Sequence, residues 1–386
     1  MITNGFSYLA FILFFAGLVV LAERHSKGKF FEYVPAVVLI YFVCMLFSTF
    51  GLWSKTESVN AVYKGVKGNL LPAMIFLMLL RCDLRKIMKL GPKMLLGFFA
   101  ASTSIAFGFV VMYMLFKSNL PADGWRAFAA LCGSWMGGTG NMVAIQGALN
   151  IADADMGYTL LIDSIDYSIW VMVLLGMVPY AMKFNKWTKS DTSAIDQVGA
   201  ELSRHHESLR KETTFSDIIF LLGAALAVSA ACQWASGFLP KSAFMSGTTW
   251  TVLLATVVGV LCAMTPMYGL PGASQMANTM LYMIVGLIAS RANFAELTEA
   301  PMYILAGFVI LGIHALSLSI IAKLFKLDLF TCGVASLANI GGVASAPILA
   351  AAYSDALVPI GVLMAMMGYV VGTGGGLIVG KILSIL

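Results

Sequence analysis

Apolar residues along this chain come in blocks of roughly 17–25, the length at which a helix crosses the hydrocarbon core of a bilayer. The blocks predict helical spans over 6–22, 33–53, 69–81, 93–116 and 156–182, with a Gly-rich element over 127–150 before the last of these. A polar stretch, 183–214, follows. Spans then resume over 215–236, 248–267, 274–289 and 301–322, a second Gly-rich element over 330–352, and 356–385. A membrane β-barrel is excluded, because its strands alternate apolar and polar residues over about ten positions. The fold class this predicts is an all-α polytopic membrane protein.

Composition agrees. Of 386 residues, 60% are hydrophobic and 11% charged, where soluble domains carry about 25% charge. Mean hydropathy is +0.88. The six cysteines stand apart from one another and form no CxxC or Cys/His cluster, so no metal or redox site and no cofactor is expected; no His/Asp/Ser constellation supports an enzyme. The net charge of +5 is scattered through connections and points to orientation in a bilayer, with no nucleic-acid partner. The start, MITNGFS, has no basic segment, so the first span reads as a retained helix. If each Gly-rich element dips in and returns on one side, sixteen Lys and Arg face the cytoplasm and eight face outward. This places the N-terminus outside and the linker 183–214, with an amphipathic helix near 196–211, inside. The basic stretch Arg81–Lys93 reads as interfacial.

The chain also repeats itself. SWMGGTGNM (134–142) aligns with ANIGGVASA (338–346), so Gly137-Gly138 falls on Gly341-Gly342. Pro92 to Phe98 matches Pro301 to Phe308, Asp153 falls on Asp355, and Tyr167 on Tyr369. Five crossings per half is an odd number, so a duplicated half inserts upside down. Inverted repeats with interruptions at matching places point to a transporter site near the midplane.

Glycine weakens a helix by about 1 kcal/mol against alanine, and unwound backbone at depth survives only where protein or a cavity shelters it. The two Gly-rich elements are therefore expected to break and to aim helix ends at a shared solute or ion site. Ser134, Gly137, Gly138, Thr139, Asn141 and Gln146 belong to the first element; Asn339, Gly341, Gly342 and Ser345 to the second. Gln275 and Asn278 are further candidates for lining the site. Asp163 and Asp166 share one face of span 156–182, with Tyr167 beside them. A carboxylate in a membrane must line a cavity, pair or take up a proton. The expectation is coupling to H⁺ or Na⁺, with Asp163, Asp166 and Asn141 as the candidate Na⁺ ligands. His314 reads as a hydrogen-bonded interior residue, and Gly372–Gly376 as a thin, closely packed helix.

These residues carry a resemblance. SWMGGTGNMVAI and SLANIGGVASAPILAAAY resemble the bacterial predicted-permease family DUF819 over nearly the whole chain. More loosely, 75–98 followed by a broken element and two acids is similar to the superfamily of cation/proton antiporters and sodium/glutamate symporters. The resemblance implies a 5+5 inverted repeat in a bacterial inner membrane. Its scaffold (6–53 and 215–267) would form a homodimer, and its core (69–182 and 274–385) would move as an elevator. It carries Gly137, Gly138, Asn141, Gly341, Gly342 and Ser345 as site candidates, and Asp163 and Asp166 as analogues of the antiporter acids. The i,i+3 spacing departs from the adjacent acids, or Asn–Asp pair, of antiporters. The function expected is symport of a small organic solute. A carboxylated solute is favoured because helix N-termini would face it; the alternative is cation/proton antiport.

Overall fold

The computed structural model describes residues 1–26, 30–191, 212–242, 245–294, 300–354 and 357–386, except the side chains of Glu32 and Tyr33. The expected helix at 196–211 and the Asp355 match lie outside the described residues. The described residues are helical, apart from turns and a single bridge between Ile2 and Trp53.

The first half contains α1 (Gly5–His25), α2 (Ala36–Thr49), α3 (Glu57–Leu79), α4 (Gly91–Phe116), α5 (Trp125–Gly137), α6 (Thr139–Leu149) and α7 (Asp155–Met177). The second half contains α8 (Phe215–Ser236), α9 (Gly247–Ala263), α10 (Ala273–Ala289), α11 (Ala300–Phe325), α12 (Leu329–Ile340), α13 (Gly342–Tyr353) and α14 (Val358–Leu383). Each half thus runs through the same order, with a broken pair before its last helix. Among the described residues, six helical stretches are long and apolar enough to cross a membrane: α1, 84–119, 155–188, α8, α11 and α14. The remaining apolar helices, α2, α9, α10, α12 and α13, are shorter than 18 residues.

Local chemistry sets several starts. The side chain of Asn4 accepts from Ser7 N, Thr56 from Val59 N, and Asp328 from Thr331 N, while Thr214 and Asp217 cap each other. The Thr56 cap accounts for the largest difference from the expected spans. α3 begins at Glu57 rather than near 69, because the polar run Glu57–Lys67 continues the helix instead of forming a connection.

Packing divides the helices into two groups. α3 and α10 lie against each other and against α1, α2, α8 and α9. Gly286 of α10 faces Ile12 and Ile40, and a Cβ on Gly259 of α9 would lie 2.8 Å from Leu79 Cβ. Ser229 Oγ of α8 donates to Asn69 O at 2.7 Å. The second group joins α4, α5, α6, α7, α11, α12, α13 and α14. The expectation placed residues 69–81 and 274–289 with this second group. Here they pack mainly with the first, because their buried faces meet α1, α2, α8 and α9.

Candidate functional site

Both Gly-rich elements are broken. α5 ends at Gly137, and Gly138 takes φ +89° and ψ 173°, a conformation that only glycine adopts without strain. Gly138 N still reaches back to Ser134 O, and α6 restarts at Thr139. In the second element α12 ends at Ile340, Gly341 N donates to Leu337 O at 2.9 Å, and Gly342 turns the chain at φ +58°.

The two broken helices meet at one residue of α14. A Cβ on Gly368 would lie 3.1 Å from Met136 O, near the end of α5, and 3.1 Å from Ala338 O, near the end of α12. From there α14 runs antiparallel to α5 along a stripe of small residues. A Cβ on Gly372 would come 2.7 Å from Gly137 Cα, one on Gly376 2.9 Å from Gly133 N, and one on Gly380 2.8 Å from Ala129 Cβ. This is the close backbone approach that small residues permit between membrane helices. Asn141 fastens the first break to α14: its amide nitrogen donates to Gly368 O at 3.3 Å, and its oxygen accepts from Thr373 Oγ1 at 2.8 Å.

One turn apart on α7, the two acids are held differently. Asp163 accepts from Ser134 Oγ at 3.0 Å and Trp135 Nε1 at 3.1 Å, both on α5. Asp166 is 0% exposed, and neither carboxylate oxygen has a hydrogen-bond partner. Its carboxylate lies against Gly307 of α11, where a Cβ would overlap it. Tyr167 packs its ring on Gly341, next to Ser345. The structure therefore joins Ser134 with Asp163, and Gly341 and Ser345 with Tyr167. Asn141 shares no hydrogen-bond partner with either acid, so the trio expected for Na⁺ is not linked by contacts.

A cavity of about 190 Å³ opens between the two helix groups. Its polar lining is Arg81, Ser274, Asn278 and Tyr369; Met78, Ala277, Val343, Val362 and Met366 complete it. Val343 stands in the first turn of α13, after the second break. Behind the wall stands the first break: Gly138 faces the Tyr369 ring at 3.6 Å from an added Cβ, and Gly140 abuts the Met78 sulfur. Arg81 Nη1 donates to Ser274 Oγ at 3.1 Å.

Other expected residues sit elsewhere. Gln146, near the end of α6, donates to Asp153 Oδ1 at 2.7 Å, which also receives Lys67 Nζ at 3.1 Å. Tyr41 OH donates to Asp153 O, and Ser246, the residue capping α9, and Thr249 of α9 donate to Ala148 O. The α6–α7 turn is thus clasped by α2, α3 and α9. Asn339 accepts from Ser102 Oγ at 2.7 Å and donates to Ala335 O, fixing α12 on α4. Gln275 is exposed and outside the cavity lining, whereas Asn278 lines it. Thr139 is the half-buried first residue of α6. His314 is bonded through both ring nitrogens, to Ser104 and Ser336, at 2.7 and 2.8 Å. Sequence reasoning missed Arg81, Ser274 and Tyr369 as cavity residues. The available signal for Arg81 was its place at the end of an apolar run; that the neighbouring acid, Asp83, is taken by Arg85 shows only in the fold.

Residues 10–386 match the family described as "Protein of unknown function (DUF819)". The chain belongs to this family. It is also similar to the "Uncharacterized membrane protein YjcL" of Bacillus subtilis (strain 168), at 24% identity over 375 residues, covering 92% of this chain and 91% of the relative. The DUF819 chain is accordingly a membrane protein with multiple apolar helices.

Proposed function

We propose that this DUF819 protein is a secondary active transporter that moves a small organic solute by alternating access, coupled to an ion through Asp166. The observation that carries the reading is the meeting of two broken helices at Gly368, beside a cavity lined by both helix groups. Broken helices whose ends converge inside a bilayer make binding sites out of free backbone groups.

Asp166 supplies the coupling. A carboxylate with no partner and no solvent is tolerated when a cation occupies it, and a proton does so without any surrounding ligand set. Asp163, held by Ser134 and Trp135, ties α7 to the end of the first broken helix, so a change at Asp166 has a route to the break. We place the chain within the antiporter- and symporter-like superfamily, as two inverted five-crossing repeats. The group containing α1, α2, α8 and α9, here joined by α3 and α10, is the scaffold and dimer face. The other group carries the site past it. The clasp on the α6–α7 turn then closes one end of the pathway, while the Arg81 cavity opens at the boundary between the groups. The N-terminus lies outside and the linker in the cytoplasm of a bacterial inner membrane.

The test is flux in proteoliposomes under an imposed pH or Na⁺ gradient. Wild type takes up solute driven by the proton gradient, and Asp166→Asn loses at least about tenfold of the gradient-driven component. Unchanged pH and Na⁺ dependence in that variant would remove Asp166 from the mechanism. Gradient dissipation with no solute requirement would replace symport by antiport.

A further inference from the structure

The cavity between α3, α10, α13 and α14 carries a charge pattern that the transport reading does not use. We propose that it is the solute site and that it selects a small carboxylate, gripped by Arg81; this rests on the transporter reading and adds the chemical class of the cargo.

Among the described residues Arg81 is the cationic one of the lining, and no acid lines the cavity. Among the described residues Arg81 is in no ion pair. The acid two residues along the chain is already committed. Asp83 receives Arg85 through Nε and Nη2, both at 2.9 Å. Among the described residues the Arg81 guanidinium makes one hydrogen bond, from Nη1 to Ser274, which anchors it at the cavity wall and leaves further N–H donors for a planar acceptor.

The backbone adds to this field. Ser274 stands in the first turn of α10, whose N-terminus at Gly272 has no side-chain cap. α13 likewise starts without a side-chain cap, at Gly341, and sends Val343 into the cavity. Both helix starts place partial positive charge where Arg81 already stands. The hydroxyls of Ser274 and Tyr369 and the amide of Asn278 offer orientation, and Met78, Val362 and Met366 cover the remaining surface. At about 190 Å³, the space is smaller than the 300–1,000 Å³ typical of drug-sized ligands. It suits a compact metabolite with one charged end against Arg81 and an apolar body against the methionines.

The experiment uses purified full-length protein in lipid nanodiscs, with thermal unfolding as readout. The probes are pyruvate, succinate and adipate, each against its methyl ester. At saturation at least one acid raises the midpoint by about 2–4 °C, and its ester does not. Arg81→Gln abolishes the shift, and Arg81→Lys, which keeps charge but loses the planar fork, weakens binding by about tenfold. The ligand-free midpoints of both variants show whether each remains folded. Stabilisation by the esters, a full shift in Arg81→Gln, or no shift with any acid overturns the proposal. Two further results separate it from the transport reading. Gradient-driven uptake of an uncharged solute keeps the transporter and discards the carboxylate. Acid binding that depends on Arg81 without any uptake into proteoliposomes keeps the site and discards the transporter.

Discussion

α7 and α14 each follow a broken helix and each close their half of the chain, yet they are built differently. α14 presents Gly368, Gly372, Gly376 and Gly380 at four-residue intervals and lies against α5 with backbone nearly touching backbone. α7 presents Asp163 and Asp166 at the level where α14 has Ala365 and Gly368 in the aligned repeat. One helix fixes the breaks by shape; the other carries ionisable groups to them. The difference gives the second half close packing and the first half its buried carboxylates, which is the asymmetry that the proposed coupling through Asp166 requires.

The largest effect is expected on α14. Gly372→Val forces a branched side chain onto Gly137 Cα and N, at 2.7 and 2.9 Å from an added Cβ. Backbone cannot step aside as a side-chain tip can, so the cost exceeds the usual 1–3 kcal/mol of overpacking, roughly. Little monodisperse protein should elute on size-exclusion chromatography. Gly374 has nothing within 4 Å of an added Cβ, so Gly374→Val should elute as wild type does. Equal behaviour of the two variants would mean that the stripe is not what holds α14 in place.

The acids on α7 come next. Asp163→Ala orphans the donors of Ser134 and Trp135, at about 1–3 kcal/mol for each donor left unpaired. Asp166→Ala breaks no hydrogen bond, since its oxygens make none. Thermal unfolding should therefore rank Asp163→Ala well below Asp166→Ala in stability, while gradient-driven uptake ranks the pair the other way. A matching loss of stability in both variants would show that Asp166 has a structural partner after all. A smaller effect is expected at the Thr373 hydroxyl, one of two α14 groups bonded to Asn141 at the first break. Thr373→Val removes the bond to Asn141 Oδ1 and should lower stability by about 1 kcal/mol, as read by the shift in unfolding midpoint.

How much of this was legible in the sequence differs from residue to residue. Gly138 and Gly342 announced the breaks, because paired glycines beside polar residues inside an apolar run have few other uses. The α14 stripe was readable as close packing, though not its partner, since spacing shows that a face is thin and not what lies on it. α3 hid its first three turns because hydropathy marks burial in lipid, and the segment 57–67 is helical for reasons of capping and packing. The grouping of α3 and α10 with α1, α2, α8 and α9 was out of reach, because any apolar face can satisfy another. Arg81 was counted as an orienting charge in a connection. Only its hydrogen bond to Ser274, 193 residues away, moves it to a cavity wall.

The smallest effect belongs to the connection between α3 and α4, where a third acid offers a contrast with the two on α7. Asp83 is nearly buried, and Arg85, through its side-chain hydrogen bonds, holds the Asp83 carboxyl below the usual carboxylate range. Because the folded value is the lower one, the stabilisation is complete above the unfolded carboxylate's value of about 3.9 and is lost as pH falls through the folded value. Asp83 also accepts from Arg85 N at the start of the short helix Leu84–Ile87, and asparagine keeps that cap. Asp83→Asn should therefore remove the charge while preserving the turn. Between pH 7 and pH 3 the unfolding midpoint of wild type should fall slightly more than that of the variant. The change should be small, because Arg85 is well exposed to solvent and water screens the pair. Parallel acid titrations of the two proteins would show that Arg85 leaves Asp83 unperturbed. The carboxyl would then be open to other partners, Arg81 among them, and the proposed grip on a carboxylate would lose the guanidinium without an ion pair that it requires.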